Sequence, residues 1–493
     1  MGNIFAWSAW GVLTATAAAV GAMALPPWPG AETTSTLATM YLPGETSHGH
    51  YQIELACSAC HTPLGGVREE SCDECHAADL TSTKDTHPRK KFTPIDKRHL
   101  TKKLDGRKCV TCHQEHVPDR TLEMSVSLPV DHCMPCHDEI GEERPSHEGM
   151  SFTTCQNAGC HNFHDNGPLN EKYLDDHFGE EDFHGDGVVP PRSSLATVYS
   201  PAISLVSADH DGPADSTPEV VAQWATSRHA VAGVNCSGCH ERDGAGQKVA
   251  WSDSVSLETC ASCHDWQMER WGNGRHGMKY TAGLGPMTPE LARLPMHADA
   301  AHRELSCNVC HDPHETDTRF AATDACLKCH NDTHSNSYVG SGHHEAWLAE
   351  LAGSGVPGSG VSCATCHMPR VERPDGTVSV DHNQNHNLRP NEKMIKSVCS
   401  SCHGLQFSLN ALADPAMIDA CYEGSPEGHV ESVDMARAWF DEKRRKRAEA
   451  DARKAAAKAA REKVKAEREA KKAAEEASKA AEEAVPPPAT EEV

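Results

Sequence analysis

Apolar positions are distributed very unevenly along this chain. An uncharged, alanine-rich apolar run from Ile4 to Leu25 opens it and is followed by Pro26, Pro27 and Pro29. Such a run predicts either a signal peptide, with Ala22 and Ala24 offering a cleavage site, or a membrane anchor just long enough to span a bilayer. This N-terminal segment is assigned to residues 1–30. At the other end, Asp434 to about Val485 consists largely of Ala, Lys, Arg and Glu, with no Gly or Pro until Pro486. These four residue types are strong helix formers, and the i, i+4 spacing of Glu467–Lys471 and Glu475–Lys479 adds local support. After Trp439 and Phe440 the larger apolar residues are Val464 and Val485, so no coiled-coil seam is sustained. The pattern predicts a charged, solvated helix over 431–485 and a disordered tail over 486–493.

The body between these ends predicts short helices and loops with very little strand. A stretch containing Pro190, Pro191, Pro201, Pro213 and Pro218 reads as a linker over 185–227, with one short helix near Pro218–Thr226. A two-stranded hairpin is expected near Val371–Val380, where Pro374-Asp375-Gly376 marks a turn. The fold class is therefore mostly α with extensive loop.

Composition sharpens this picture. Only 38% of the 493 residues are hydrophobic and 5% aromatic, thin for a chain of this length. Something other than side chains must fill the interior. Cysteine usage names it. Of 23 cysteines, 22 fall into eleven short-spaced pairs, and each pair is followed at once by histidine. A disulfide framework has no reason to place histidine there, and eleven three-ligand sets suit tetrahedral zinc poorly.

The pattern is that of covalent haem c: two thioethers to the haem vinyl carbons and an axial histidine reaching the iron. Five motifs lie in the first block, 45–184: Cys57/Cys60/His61, Cys72/Cys75/His76, Cys109/Cys112/His113, Cys133/Cys136/His137 and Cys155/Cys160/His161. The last has four residues between its cysteines where the others have two. Six lie in the second block, 228–430: Cys236/Cys239/His240, Cys260/Cys263/His264, Cys307/Cys310/His311, Cys326/Cys329/His330, Cys363/Cys366/His367 and Cys399/Cys402/His403. Eleven haems are expected. Cys421 is left over and reads as a free buried thiol.

The sixth iron ligand separates a carrier from a catalyst, because a second axial histidine closes the iron to substrate. Removing the eleven proximal histidines from 33 leaves 22, so supply forces no open site. Histidines near the motifs are His48, His50, His99, His116, His132, His147 and His164 in the first block. In the second they are His229, His276, His302, His314, His334, His343, His344, His382 and His386. His50, His99, His229, His302 and His314 are the foremost candidate distal ligands.

The first block resembles the low-potential class III multihaem cytochromes c. The likeness rests on His48 and His50 ahead of Cys57, on histidines scattered between close motifs, and on the Cys155–Cys160 spacing. It implies closely packed, bis-histidine haems with little regular structure. The second block is similar to the superfamily of octahaem hydroxylamine oxidoreductase, octahaem tetrathionate reductase and pentahaem nitrite reductase. That likeness rests on Cys260-Ala-Ser-Cys-His264 leading to Arg275-His276-Gly277, on Cys307-Asn-Val-Cys-His-Asp-Pro-His314, and on Cys399-Ser-Ser-Cys-His403. No C-x-x-C-K motif is present, and Tyr280, Tyr338 and Tyr422 match no cross-linking context, so catalysis does not follow from the likeness.

Two functions are expected. The first is electron transfer through closely packed, mainly bis-histidine haems between extracytoplasmic redox partners. The alternative is a haem oxidoreductase acting on hydroxylamine, nitrite or a sulfur oxyanion at one open haem of the second block. Residues 431–493 hold 16 Lys+Arg against 15 Asp+Glu, so the acid excess falls on residues 1–430, with 30 Lys+Arg against 56 Asp+Glu. Such a body disfavours nucleic acid and steers cationic partners. A periplasmic or cell-envelope location is expected, because haem c is attached outside the cytoplasm. If residues 4–25 are retained as an anchor, a quinol-oxidising membrane complex becomes a fitting donor.

Overall fold

In ten of the eleven motifs the C-x-x-C-H segment forms a helical turn or lies within a helix, and this local choice organises the molecule. The computed structural model describes residues 42–62, 65–83, 85–94, 98–155, 159–165, 169–185, 187, 204–209 and 218–483, with residues 14 and 16. The expected N-terminal leader or anchor and the expected tail over 486–493 thus lie almost wholly outside the described residues. The histidine N–H bonds back to the first cysteine carbonyl at 2.8 Å for His61 and His403. The same bond is 2.9 Å for His113, His240, His264, His311 and His330, and 3.1 Å for His137. His76 sits inside a longer helix, and Cys363–His367 is itself a helix. Positions i, i+3 and i+4 of a helical turn share one face. Both thiols and the imidazole of a motif therefore address the same side.

The elements are short, as expected. Helix α1 (Glu69–Ser82) carries Cys72, Cys75 and His76, and α2 (Glu171–His177) is capped by Asn170, whose side chain accepts from Tyr173 N–H at 3.0 Å. The linker helix α3 (Pro218–Thr226) falls where the sequence predicts it. Helices α4 (Asp265–Gly272) and α5 (Gly342–Leu351) follow. Ser341 caps α5 by accepting from His344 N–H, the arrangement that satisfies orphan donors at a helix start. Strands β1 (Arg370–Glu372) and β2 (Val378–Val380) pair antiparallel with Val371 opposite Ser379. The turn between them needs Gly376, at φ +80°. Among the described residues this hairpin is the one sheet.

Two compact units are distinguished, residues 1–433 and 434–493. Within the first, both motif blocks pack together. The segment 182–187 runs against 402–404, with His184 N–H on the Cys402 carbonyl at 3.0 Å and Gly404 N–H on the Asp182 carbonyl at 3.3 Å. The approach is so close that a Cβ on Gly187 would lie 2.4 Å from the Ser401 carbonyl oxygen. Elsewhere Arg275 donates to the His48 carbonyl at 2.6 Å. A buried knot also holds the second block: Asp381 accepts a fork of 2.8 and 2.6 Å from Arg270 on α4 and bonds His386 Nδ1 at 2.8 Å.

The apolar core is thin. Its densest part is α6 (Leu405–Ala413), where Leu405, Leu409 and Leu412 are buried together with nearby Met394, Ile395 and Met417. Phe92, Leu174, Trp224 and Leu257 are buried at well-separated points in the chain. The second unit holds most of α7 (Glu431–Glu483), 53 residues long, or about 80 Å at 1.5 Å per residue. Residues 445–481 are exposed throughout. Ion pairs such as Lys446–Glu442, Lys465–Glu469 and Lys472–Glu476 line its surface, so it is a solvated helix of the kind its composition predicts.

Candidate haem-binding sites

Each proximal histidine faces one further histidine. In the first block His61 faces His116, with ring centroids 6.5 Å apart. His76 faces His50 at 5.9 Å, and His113 faces His164 at 6.3 Å. His137 faces His87 at 6.0 Å, and His161 faces His147 at 6.1 Å. In the second block His240 faces His314 at 6.1 Å, His264 faces His229 at 6.3 Å, and His311 faces His382 at 6.2 Å. His330 faces His276 at 6.3 Å, His367 faces His334 at 5.9 Å, and His403 faces His343 at 6.3 Å. None of the eleven pairs crosses between blocks.

These separations have a physical meaning. A metal–imidazole bond is about 2.0 Å and the ring nitrogen lies about 1.1 Å from the ring centroid, so two imidazoles on one iron sit about 6.2 Å apart. Rings stacked directly would lie closer. The interplanar angles run from 2° for His240–His314 to 85° for His87–His137, so no common stacking geometry explains the spacing. With two cysteines on the same face as the proximal ring in the ten helical motifs, the residues fit haem c.

The outer nitrogens support the same orientation. Nδ1 meets a backbone carbonyl at His116 (Gly44, 2.8 Å), His87 (Phe163, 2.7 Å), His229 (Pro313, 2.8 Å) and His240 (Ser252, 2.7 Å). It does so also at His382 (Val380, 3.0 Å) and His403 (Asp182, 3.0 Å). An imidazole donating from Nδ1 presents the lone pair of Nε2, the arrangement that orients metal-bound histidine. His50 differs: its Nδ1 lies 2.7 Å from Glu115 Oε1. Burial would raise the Glu115 carboxyl, but bonds from His50 and from Ser47 outweigh it and hold it at about 2. Burial pushes His276 down to about 4, aided by His330, and His367 likewise, aided by His334. Both rings are then neutral at physiological pH, as ligands must be.

Local strain marks one ligand candidate. His116 takes φ 61°, a left-handed conformation that costs a non-glycine residue about 1–2 kcal/mol. His116 is the last residue of His113-Gln-Glu-His116. The same H-x-x-H spacing recurs in His161-Asn-Phe-His164 and His311-Asp-Pro-His314. In all three the second histidine faces the proximal ring of the motif two places earlier in the chain, at His61, His113 and His240.

Ligand order also repeats. His50 precedes the first motif and faces that of the second, and His229 precedes the sixth and faces that of the seventh. His87 precedes the third and faces the fourth, and His276 precedes the eighth and faces the ninth. Motifs 1–4 and 6–9 thus share one scheme.

Consecutive motifs adjoin through their cysteines. Side-chain hydrogen bonds join Cys72 to Cys109, Cys133 to Cys155, Cys260 to Cys307, and Cys326 to Cys363. Cys60 lies near Cys72 and Cys75, Cys133 near Cys112, and Cys239 near Cys260. Cys310 lies near Cys326, and Cys366 near Cys399. Each block is therefore a row of motifs in sequence order.

The sequence treats all 22 motif cysteines alike, whereas the structure does not. Second cysteines, Cys136 of the fourth motif and Cys263 of the seventh among them, take no part in the four thiol–thiol bonds. Cys136 is half-buried beside its own motif partner, Cys133. Cys263 is exposed, with its sulfur 3.8 Å from the Ser262 hydroxyl, and it lies near Cys239 of the preceding motif. The reason is position. All four thiol–thiol bonds join first cysteines, and the second lies three residues on, about 4.5 Å further along the turn. The claim of Cys136 and Cys263 on haem therefore rests on motif spacing and on the shared face with His137 and His264.

Of the foremost distal candidates, His50, His229 and His314 stand in opposed pairs. His99, in the Arg98–Lys103 helix, and His302 stand outside the eleven, contrary to expectation. His302 is exposed, with Nδ1 2.8 Å from Glu290. Sequence reasoning missed His87, which lies 22 residues before Cys109 and 50 before its opposite ring, beyond any local signal. Cys421 is buried, and burial raises its thiol to about 11.

A family model described as cytochrome c3 matches residues 228–331. No curated protein matches the chain. No solved structure matches it either. The class III likeness thus falls on the second block, covering motifs 6–9, rather than on the first, where sequence features suggest it. The comparisons give no support to a hydroxylamine oxidoreductase relationship for that block. Proteins of the cytochrome c3 family are typically periplasmic or exported, and no helix among the described residues is long and apolar enough to cross a membrane. The cytochrome c3 match over residues 228–331 supports a multihaem electron-transfer cytochrome, and that family implies covalently bound haem c.

Proposed function

We propose that the chain binds eleven haems c, each between two histidines, and relays electrons along them between extracytoplasmic redox partners. The observation that carries this reading is the set of eleven opposed histidine pairs, 5.9–6.5 Å apart, one for every C-x-x-C-H or C-x4-C-H motif. Bound haem c supplies a one-electron couple at each position. The protein's part is geometric. The paired imidazoles would hold each haem iron between two histidines, and the neighbouring motif cysteines would bring consecutive haems close together. The rows then run from motif 1 to 5 and from motif 6 to 11.

The shared ligand order supports reading motifs 1–4 as a second copy of the four-haem scheme that the family match covers in motifs 6–9. The acidic body, with 56 Asp+Glu against 30 Lys+Arg in residues 1–430, favours docking of cationic redox partners. The oxidoreductase alternative needs a proximal histidine without an opposed ring, and none of the eleven lacks one. Intact-mass and pyridine haemochrome analysis of exported protein tests the count. Eleven haems per chain are expected, and a lower number in fully matured protein contradicts the reading.

A further inference from the structure

Two equivalent ligands in the two four-motif schemes are held by different chemistry. His50 and His229 each stand seven residues ahead of the first cysteine of their block. Each faces the proximal ring of the following motif, at 5.9 and 6.3 Å. Each sends Nδ1 to the residue just before the second histidine of an H-x-x-H segment. For His229 the acceptor is the Pro313 carbonyl at 2.8 Å. For His50 it is the Glu115 carboxylate at 2.7 Å. Ser47 fixes that carboxylate through its backbone N–H at 2.6 Å and its hydroxyl at 2.8 Å.

We propose that Glu115 is a tuning residue that lowers the reduction potential of the haem held by His50 and His76 below that of its counterpart held by His229 and His264. The inference rests on the proposed bis-histidine reading. A carbonyl presents a dipole to the imidazole N–H, whereas a carboxylate presents a full charge. The carboxylate draws the Nδ1 proton, makes Nε2 a stronger donor and favours the ferric over the ferrous iron. Both side chains are only about a third exposed or less, at 31% for His50 and 25% for Glu115, so water screens the charge incompletely. Carboxylates near other paired histidines stand about 1 Å farther off: Asp312 and Asp332 at 3.7 Å and Asp85 at 3.8 Å. The segment Cys109–His116 thereby serves three neighbouring sites. It attaches the third haem, supplies His116 to the first and sets the electronics of the second.

The test is equilibrium redox titration of the matured protein, followed optically and by EPR. Glu115→Gln keeps an acceptor but removes the charge. One of the eleven one-electron transitions should move to higher potential, its oxidised-to-reduced ratio at fixed potential falling about tenfold, or about 59 mV. Ser47→Ala removes a donor that competes for the same carboxylate oxygen, and it should move the same transition the opposite way. The low-spin g values of that one haem should follow. Superimposable titrations for wild type and both variants overturn the proposal. So does conversion of one haem to high spin in Glu115→Gln, which would make Glu115 a mere support for the ring. A wild-type protein with fewer than eleven haems, or with a high-spin ferric signal, would instead overturn the underlying reading.

Discussion

Asp381 is 1% exposed yet charged, because three donors meet it: the Arg270 fork, the His386 ring and the Asn383 N–H. Burial pushes its carboxyl up, but the bonds from His386 and Arg270 prevail and hold it at about 2. Its ordinary value is about 3.9. A carboxylate with a depressed folded value stabilises the protein above pH ~4, and that contribution of about 2.5 kcal/mol is lost as pH falls through 2. Asp381→Asn should cost about 3–5 kcal/mol at neutral pH by stranding Arg270, and it should flatten the acid limb between pH 4 and 2. Denaturant unfolding of both proteins across that range checks this. Equal stability at pH 7 would show that the ion pair is not the tie it resembles. His276 offers a second residue-scale test. His276→Ala removes the ring opposite His330, so one haem in eleven should turn high-spin in the near-infrared magnetic circular dichroism spectrum. An unchanged spectrum would mean that another group holds that iron.

At the scale of elements, the local chemistry was legible in the sequence and the long-range chemistry was not. Attachment by two cysteines and one histidine is confined to five adjacent residues, so C-x-x-C-H announces itself, and its helical turn follows from the need to put i, i+3 and i+4 on one face. The spacing does not reveal which thiols meet a neighbouring motif, and so Cys136 and Cys263 look no different in sequence from Cys133 and Cys260. The hairpin around Gly376 and the α3 helix were readable because turn chemistry and propensity are local. Distal ligands come from anywhere within the block. His50 and His229 sit just ahead of a motif but face the next one, and His87 has no spacing that betrays it. The H-x-x-H segments were visible as patterns, yet only the fold reveals that each serves the motif two places back. Helix α7 is the opposite case: beyond its first turns, where Val433, Ala436 and Phe440 are buried, residues 445–481 are exposed and legible from their own composition. Ala459→Pro should break it locally at a cost of about 3 kcal/mol and reduce the far-ultraviolet helical signal. The haem spectrum should stay unchanged. A shifted haem spectrum would show that the helix supports the haem-bearing unit.

The whole molecule has few buried side chains for its length, and those it has concentrate around α6. Most motif cysteines are only partly buried, and Cys57, Cys75 and Cys263 are exposed. In this account the macrocycles complete the interior, and folding and haem attachment are thermodynamically linked. In the proposed reading the same organisation would make the paired motif rows a path for electrons, closed to exogenous ligands along its length. Continuous-wave EPR of the fully oxidised protein, with and without added nitrite or hydroxylamine, tests that claim most directly. The account predicts low-spin ferric signals integrating to eleven haems and unchanged by either ligand. A high-spin ferric signal that shifts on addition would contradict it.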